Sequence, residues 1–168
     1  RPPEISQDNS PDIDFIKHYL SWLNETNKDI PDIIVHLRPT YPIRNLDFLN
    51  NCIEQMIENY DTYDSLRTIT ENKSKSPFKM YTIDKNILKP VVPPSEFPFI
   101  KELYNQCRQV LPITYTHNGC IDIIKTSIIN NNMLSGNKIL PVVMEDTEVN
   151  DIDTPDDWEN AENRYNRM

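Results

Sequence analysis

Apolar residues recur along the chain in short blocks whose spacing changes from helical to extended and back. Ile13, Ile16, Leu20 and Leu23 follow one another at helical intervals behind Ser10-Pro11-Asp12. That tripeptide predicts a helix start: a serine cap, a proline at the first helical position, and acids facing the positive end of the dipole. IIVHL, at 33–37, is a β-branched run between polar residues and predicts a buried strand. Two prolines in the following RPTYPIRN end any pairing, and Asn45 is placed to cap a second helix bearing Leu46, Leu49, Ile53, Met56, Ile57 and Tyr60. SLRTIT, at 65–70, reads as another strand. This alternation predicts an α/β fold with a parallel or mostly parallel sheet covered by helices. In such sheets the loops leaving the carboxyl ends of strands carry the site, which directs attention to RPTYPIRN.

From about Lys75 the texture changes. KMYTID and ILKPVV are short extended pieces, and PVVPPSEFP is too rich in proline to be anything but loop or polyproline-like backbone. FIKELYNQCRQVL predicts a helix, and ITYTHNGCIDII an extended segment in which His117-Asn118-Gly119 makes a turn or bulge. KILPVVM predicts a further buried strand. Thr154-Pro155-Asp156-Asp157 then opens a closing helix with Trp158, Ala161 and Tyr165 on one face.

Composition narrows the function classes. A chain of 168 residues, 38% hydrophobic and 26% charged, suits one folded domain, and no apolar run approaches the roughly 20 residues that a membrane span needs. A formal charge of -9 argues against a protein built to neutralise nucleic-acid phosphates. Three widely spaced cysteines without a CxxC pair fit free thiols and a cytoplasmic location. The opening from Arg1 lacks a signal-peptide layout and reads as the start of a fragment or a processed chain. His18 and His36 lie on a helix and a strand without a ligand cluster at zinc spacing, so packing roles are expected for both.

Five segments carry a family resemblance. HLRPTYPIR is similar to the strand-plus-loop signature of the acylneuraminate cytidylyltransferases, written LLQPTSPLR or LRPTSPLR. RPPEISQDNS resembles that family's RPxELAxDxS, SPFKMY its HPxKM-like piece, RQVLPITYTHNG its RQxLPxxYRPNG, and NDIDTPDDWENAE its DIDTPEDLxxAE ending. The five occur in family order and cover essentially the whole chain. The family's first strand and glycine-rich loop, of the form LARxGSKxxxxKN, has no counterpart among these residues, whose two glycines are Gly119 and Gly136. The resemblance therefore implies a single cytidylyltransferase-like domain over 1–168 that lacks its N-terminal nucleotide-binding part. It implies a Rossmann-like nucleotidyltransferase sheet with helices on both faces, and a small extended excursion over 76–123 that swaps across a homodimer.

The same resemblance implies residue roles. Asp151 and Asp153 match metal-binding aspartates; their i, i+2 spacing in extended backbone puts both carboxylates on one face, and hard oxygens suit Mg²⁺. The plainer alternative is that they precede a helix whose N-terminus favours negative charge. Arg38 stands where many relatives carry Gln near the acceptor sugar, and Arg44 closes the same loop; either pairs with a carboxylate or phosphate, or ties loop to helix through backbone carbonyls. Arg108 and Gln109 match the family's RQ pair and Lys79 its basic residue after HPx, with Arg108 and Lys79 implied as catalytic cations. Asn118 and Gly119 match the NG of RPNG, as substrate-binding positions. Here Thr116-His117 replaces the preceding Arg-Pro, and Asp122 stands where Tyr is common. His117 is then a substitute donor or an exposed turn residue.

The implied reaction is cytidylyl transfer from CTP to a nonulosonic (sialic-type) acid, giving CMP-sugar and pyrophosphate with Mg²⁺ as cofactor. The competing reading is a non-catalytic, dimerising remnant of the family that acts as a sugar-binding or regulatory partner. A related octulosonate branch carries a QGDEP-like loop where this chain has RPTYPIR, which sets it aside.

Overall fold

The computed structural model describes residues 1–145 and 150–167. Its strands are β1 (Ile33–His36), β2 (Ser65–Glu71), β3 (Tyr81–Asp84), β4 (Ile87–Pro90), β5 (Tyr115–Lys125) and β6 (Ile139–Met144). Its helices are α1 (Asp12–Glu25), α2 (Leu46–Glu58), α3 (Thr126–Ile129) and α4 (Pro155–Tyr165). No described helix is long and apolar enough to cross a membrane.

The fold is mixed α/β, and its main sheet has the order β1-β5-β2-β6. That sheet is not mostly parallel, although the alternation of elements predicts one that is. β5 pairs antiparallel with both β1 and β2, and the β2–β6 ladder alone is parallel. The cause is the route of the chain: after β2 it leaves the sheet and returns in reverse along the same strand, entering between β2 and β1. With β5 reversed at the centre, β1, β2 and β6 all run in one direction.

Successive side chains of a strand point to opposite faces, so the two largest core clusters identify the layers. Ile33, Leu66, Ile121 and Ile123 pack with Cys52 and Met56 of α2 on one face. Ile34 and Ile124 pack with Ile16 of α1 and with Ile128 and Ile129 of α3 on the other. Helices therefore cover both faces of the sheet. β1 and β6 are edge strands and only half-buried, with Val35 and Val143 exposed, whereas their composition predicted burial. Apolar runs show that a strand forms, but its place in the sheet decides how far it is covered.

Local chemistry explains the element ends. Asn45 caps α2, its side-chain oxygen accepting from the Phe48 amide at 3.1 Å. Thr154 and Asp157 make a reciprocal capping box at α4, with Pro155 in the first turn. Ser10 does not cap α1 as predicted: its hydroxyl accepts from the Gln7 amide, so it belongs to the preceding turn, and Pro11 takes the cap position.

Residues 99–111 do not form the predicted helix. Short 3₁₀ turns, Leu103–Asn105 and Arg108–Val110, stand in its place, and Glu102 sits at φ +45°, which an α-helix excludes. Leu103 and Leu111 are instead anchored one by one beside Phe78 in a small separate cluster. The same region holds the β3–β4 hairpin, whose two-residue turn puts Lys85 and Asn86 at φ +49° and +63°, the conformation such tight turns demand. This satellite cluster runs from Phe78 to Leu111, whereas Tyr115–Lys125 belongs to the main sheet.

Candidate functional site

Three backbone segments meet at the carboxyl ends of β1, β2 and β6. The loop 38–44 leaves β1, the bulge 117–120 interrupts β5, and residues 150–153 arrive after β6. Asn150 clamps Ile43 from both sides: its side-chain oxygen accepts from the Ile43 amide at 3.2 Å and its amide donates to the Ile43 carbonyl at 2.9 Å. The Ile152 amide donates to the Thr40 carbonyl at 2.8 Å. Through these bonds, Asp151 is delivered to the bulge.

The bulge is where the sequence placed it. The β2–β5 register slips between Arg67 and Ile69, and Thr68 bridges the gap, its hydroxyl donating to the Ile121 carbonyl and accepting from the Ile121 amide, each at 3.2 Å. Asn118 is buried and both ends of its side-chain amide are engaged, donating to Thr70 Oγ1 at 2.9 Å and accepting from the Cys120 amide at 3.2 Å. Gly119 has φ +71°, and a Cβ there would lie 3.2 Å from Asp151 Oδ2 and 3.4 Å from Arg38 Cδ. The backbone conformation favours glycine, and a Cβ would press on Asp151 and Arg38.

A charge cluster lies alongside. Asp122, only 3% exposed, has Arg67 Nε at 2.8 Å, His117 Nε2 at 3.2 Å and Arg38 Nη2 at 3.6 Å. Burial raises its pKa, but His117 and Arg67 outweigh that and hold it down at about 2, so the carboxylate is ionised at neutral pH. Arg38 also reaches Asp12 of α1 at 2.8 Å. His36, opposite Asp122 across the β1–β5 ladder, is lowered by burial and then by Arg38, which favours its neutral form. Its ring meets Phe15 edge-on at 5.4 Å, in agreement with the packing role expected of it.

All the sequence-predicted residues except Asp153 thus separate into two groups. Arg38, Arg44, Asn118, Gly119 and Asp151 come together. Arg44 donates to the carbonyls of Cys120 at 2.9 Å and Arg38 at 2.6 Å, so it ties the loop to the sheet. Lys79, Arg108 and Gln109 stand on the excursion. Arg108 donates to the carbonyls of Lys73 and Ser74, and it lines a hollow of about 240 Å³ with Gln109, Asn72 and Ser76. Lys79 ends a 3₁₀ turn with its side chain exposed. Asp153 is exposed, and its amide donates to Asp157 Oδ2 at 3.2 Å.

A second hollow, of about 270 Å³, opens between the end of β2 and the bulge, with Thr70, Lys73, Ser74, His117, Asn118 and Asp151 on its walls. Asp151 Oδ1 is buried there without a hydrogen-bond partner among the described residues. An unpaired buried carboxylate oxygen costs free energy, and a hard cation would relieve that cost, so Asp151 fits a Mg²⁺ ligand. Sequence reasoning missed the clamp by Asn150 and the partners of Asp122. Arg38, Arg67 and His117 come from three elements, and nothing in their spacing announces that one carboxylate gathers them.

No family model matches this sequence, and no curated protein matches it.

Proposed function

We propose that the chain serves cytidylyl transfer, in which a hydroxyl of a nonulosonic acid attacks the α-phosphate of CTP and pyrophosphate leaves. The reading rests on the five motif resemblances, and one structural observation supports it most. Asp151, Gly119 and the RPTYPIR loop, drawn from three of those motifs, meet beside the hollow that Asp151 lines at the carboxyl ends of strands. Ligands of open α/β sheets bind at that end. The finer fold assignment, a Rossmann-like nucleotidyltransferase sheet, belongs to the same proposal.

Asp151 and Asp153 would hold Mg²⁺, which shields phosphate charge when bound. The chain's own residues position the acceptor. The loop 38–44, fixed by Arg44 and Asn150, bonds through Thr40 to the segment that carries Asp151, and the exposed Lys73 on the wall of the hollow supplies positive charge for an anionic substrate. No covalent nucleophile is required, because transfer by alignment and electrostatics suffices.

The excursion serves dimerisation in this reading. Ile83, Ile87, Leu88, Phe99, Val110 and Ile113 are all more than half exposed, an apolar surface that a second copy would cover. Residues contributed across that interface would bring Arg108 and Lys79 to the partner's hollow.

The test is pyrophosphate release from CTP with Mg²⁺ and a panel of nonulosonic acids, using this chain and the chain extended to the start of its reading frame. Release with one acid supports the transferase and names its acceptor. Silence from both folded proteins, with retained binding of a nonulosonic acid, supports the non-catalytic partner. Silence without such binding removes both readings.

A further inference from the structure

His117 stands at the meeting point of two features. Its Nε2 is buried and lies 3.2 Å from the ionised Asp122 carboxylate, within reach of its charge though off the line of a well-formed hydrogen bond. The side chain is nevertheless 30% exposed, so its exposed surface lies on the remaining ring atoms. The residue also lines the hollow that contains Asp151.

The surroundings fix where the ring proton belongs. Asp122 of β5 carries the charge nearest to Nε2; Arg67 of β2 and Arg38 of the loop after β1 hold that charge in place, and His36 of β1 lies near by. A neutral imidazole has one N–H and one lone pair, and a carboxylate beside Nε2 draws the proton to that nitrogen. Nδ1 is left as the acceptor, on a residue that lines the hollow. A carboxylate, an imidazole and an open acceptor in sequence are the arrangement by which a hydroxyl oxygen is made nucleophilic.

We infer that His117 is a catalytic residue of the hollow: Nδ1 accepts the hydrogen bond of the substrate's attacking hydroxyl, and Asp122 is the residue that orients the ring. The inference rests on the transferase reading above. As the acceptor oxygen approaches the α-phosphorus, its O–H bond breaks and the proton passes to Nδ1. The oxygen's electron pair forms the new O–P bond, and the P–O bond to pyrophosphate breaks. The imidazolium then returns its proton to solvent through the exposed edge of the ring.

The experiment compares the wild type with His117→Gln, which preserves polarity but cannot take the proton. The comparison measures kcat and KM for the acid in the pyrophosphate assay, beside two-bond ¹H–¹⁵N spectra of the wild-type imidazole. The expected result is a fall in kcat of about 100-fold or more with KM for the acid changed by less than about threefold, and an Nε2–H tautomer in the spectra. A His117→Gln enzyme with wild-type kcat overturns the inference and leaves the transferase reading standing. An Nδ1–H tautomer overturns it equally. A variant that loses kcat and KM together shows His117 to be structural and also overturns it. If the folded wild type releases no pyrophosphate with any acid, the transferase reading falls and this inference falls with it.

Discussion

The main sheet and the excursion obey different rules. The sheet encloses Leu66, Ile121, Ile123, Cys52 and Met56 with no exposed surface, and Thr68, Thr70 and Asn118 hydrogen-bond across its bulge. In the excursion, Phe78, Leu103 and Leu111 form the buried cluster, while every residue of β3 is exposed. A two-stranded hairpin with apolar side chains in water is marginal by itself. One region is held by its own interior, and the other has the composition of a surface awaiting cover. The difference teaches that stability rests on the sheet's interior, so that substitutions on the exposed excursion can be made without touching it.

The largest effect is expected at the sheet's charge cluster. Asp122→Ala leaves Arg67 and Arg38 without their shared carboxylate, and loss of one partner from a buried ion cluster costs about 3–5 kcal/mol. Chemical denaturation followed by circular dichroism measures it. A loss below 1 kcal/mol would show that the cluster contributes little to holding β1, β2 and β5 together.

Next comes the turn before β6. Gly136 has φ +67°, and a Cβ there would lie 2.3 Å from Asp64 Cβ, while Asp64 Oδ2 accepts from the Asn137 and Lys138 amides at 2.8 and 3.0 Å. Gly136→Ala must strain the backbone and displace Asp64, at a cost of about 2 kcal/mol or more. Thermal melts of the two proteins provide the comparison, and equal midpoints would refute the packing described for this turn.

A pH titration of stability has a comparable size. Because the folded-state pKa of Asp122 is lowered from 3.8 to about 2, its contribution is fully present above the unfolded value and disappears as pH falls through the folded one. Stability should drop by an amount on the order of 2 kcal/mol between about pH 4 and pH 2, and the Asp122→Asn variant should lack this component. An identical acid limb in the variant would assign the loss to other carboxylates.

The smallest stability effect belongs to the excursion. Ile83→Lys, on the exposed hairpin, should change unfolding free energy by no more than about 0.5 kcal/mol, yet convert the proposed dimer to a monomer in sedimentation. A dimer that survives both this change and Phe99→Ser would mean that the exposed apolar surface serves something else.

What the sequence revealed depended on how local the governing chemistry is. Caps at Asn45 and Thr154 act within four residues, and both helices begin where they were predicted. Gly119 marked the bulge because its required φ is a property of one residue. The direction of β5 was not legible, because residues 72–114 separate it from β2 and nothing in its own pattern states which way it returns. The absent helix at 99–111 shows apolar spacing overruled by a satellite core that draws in Leu103 and Leu111 one at a time. For the candidate site, motif resemblance singled out Asp151 and Gly119, which the fold brings side by side, whereas the gathering of Arg38, Arg67 and His117 around Asp122 is a product of three-dimensional packing alone.

The central claim is that the functional centre lies in the hollow beside Gly119 and Asp151, not on the excursion. Adding Mn²⁺ in place of Mg²⁺, with CTP, and recording amide NMR spectra tests it directly, since the paramagnetic ion broadens resonances near its site. The account predicts selective loss of the Asn118, Gly119 and Asp151 signals, abolished by Asp151→Asn, with the β3–β4 hairpin unaffected. Broadening that centres on the hairpin, or that persists unchanged in Asp151→Asn, would contradict it.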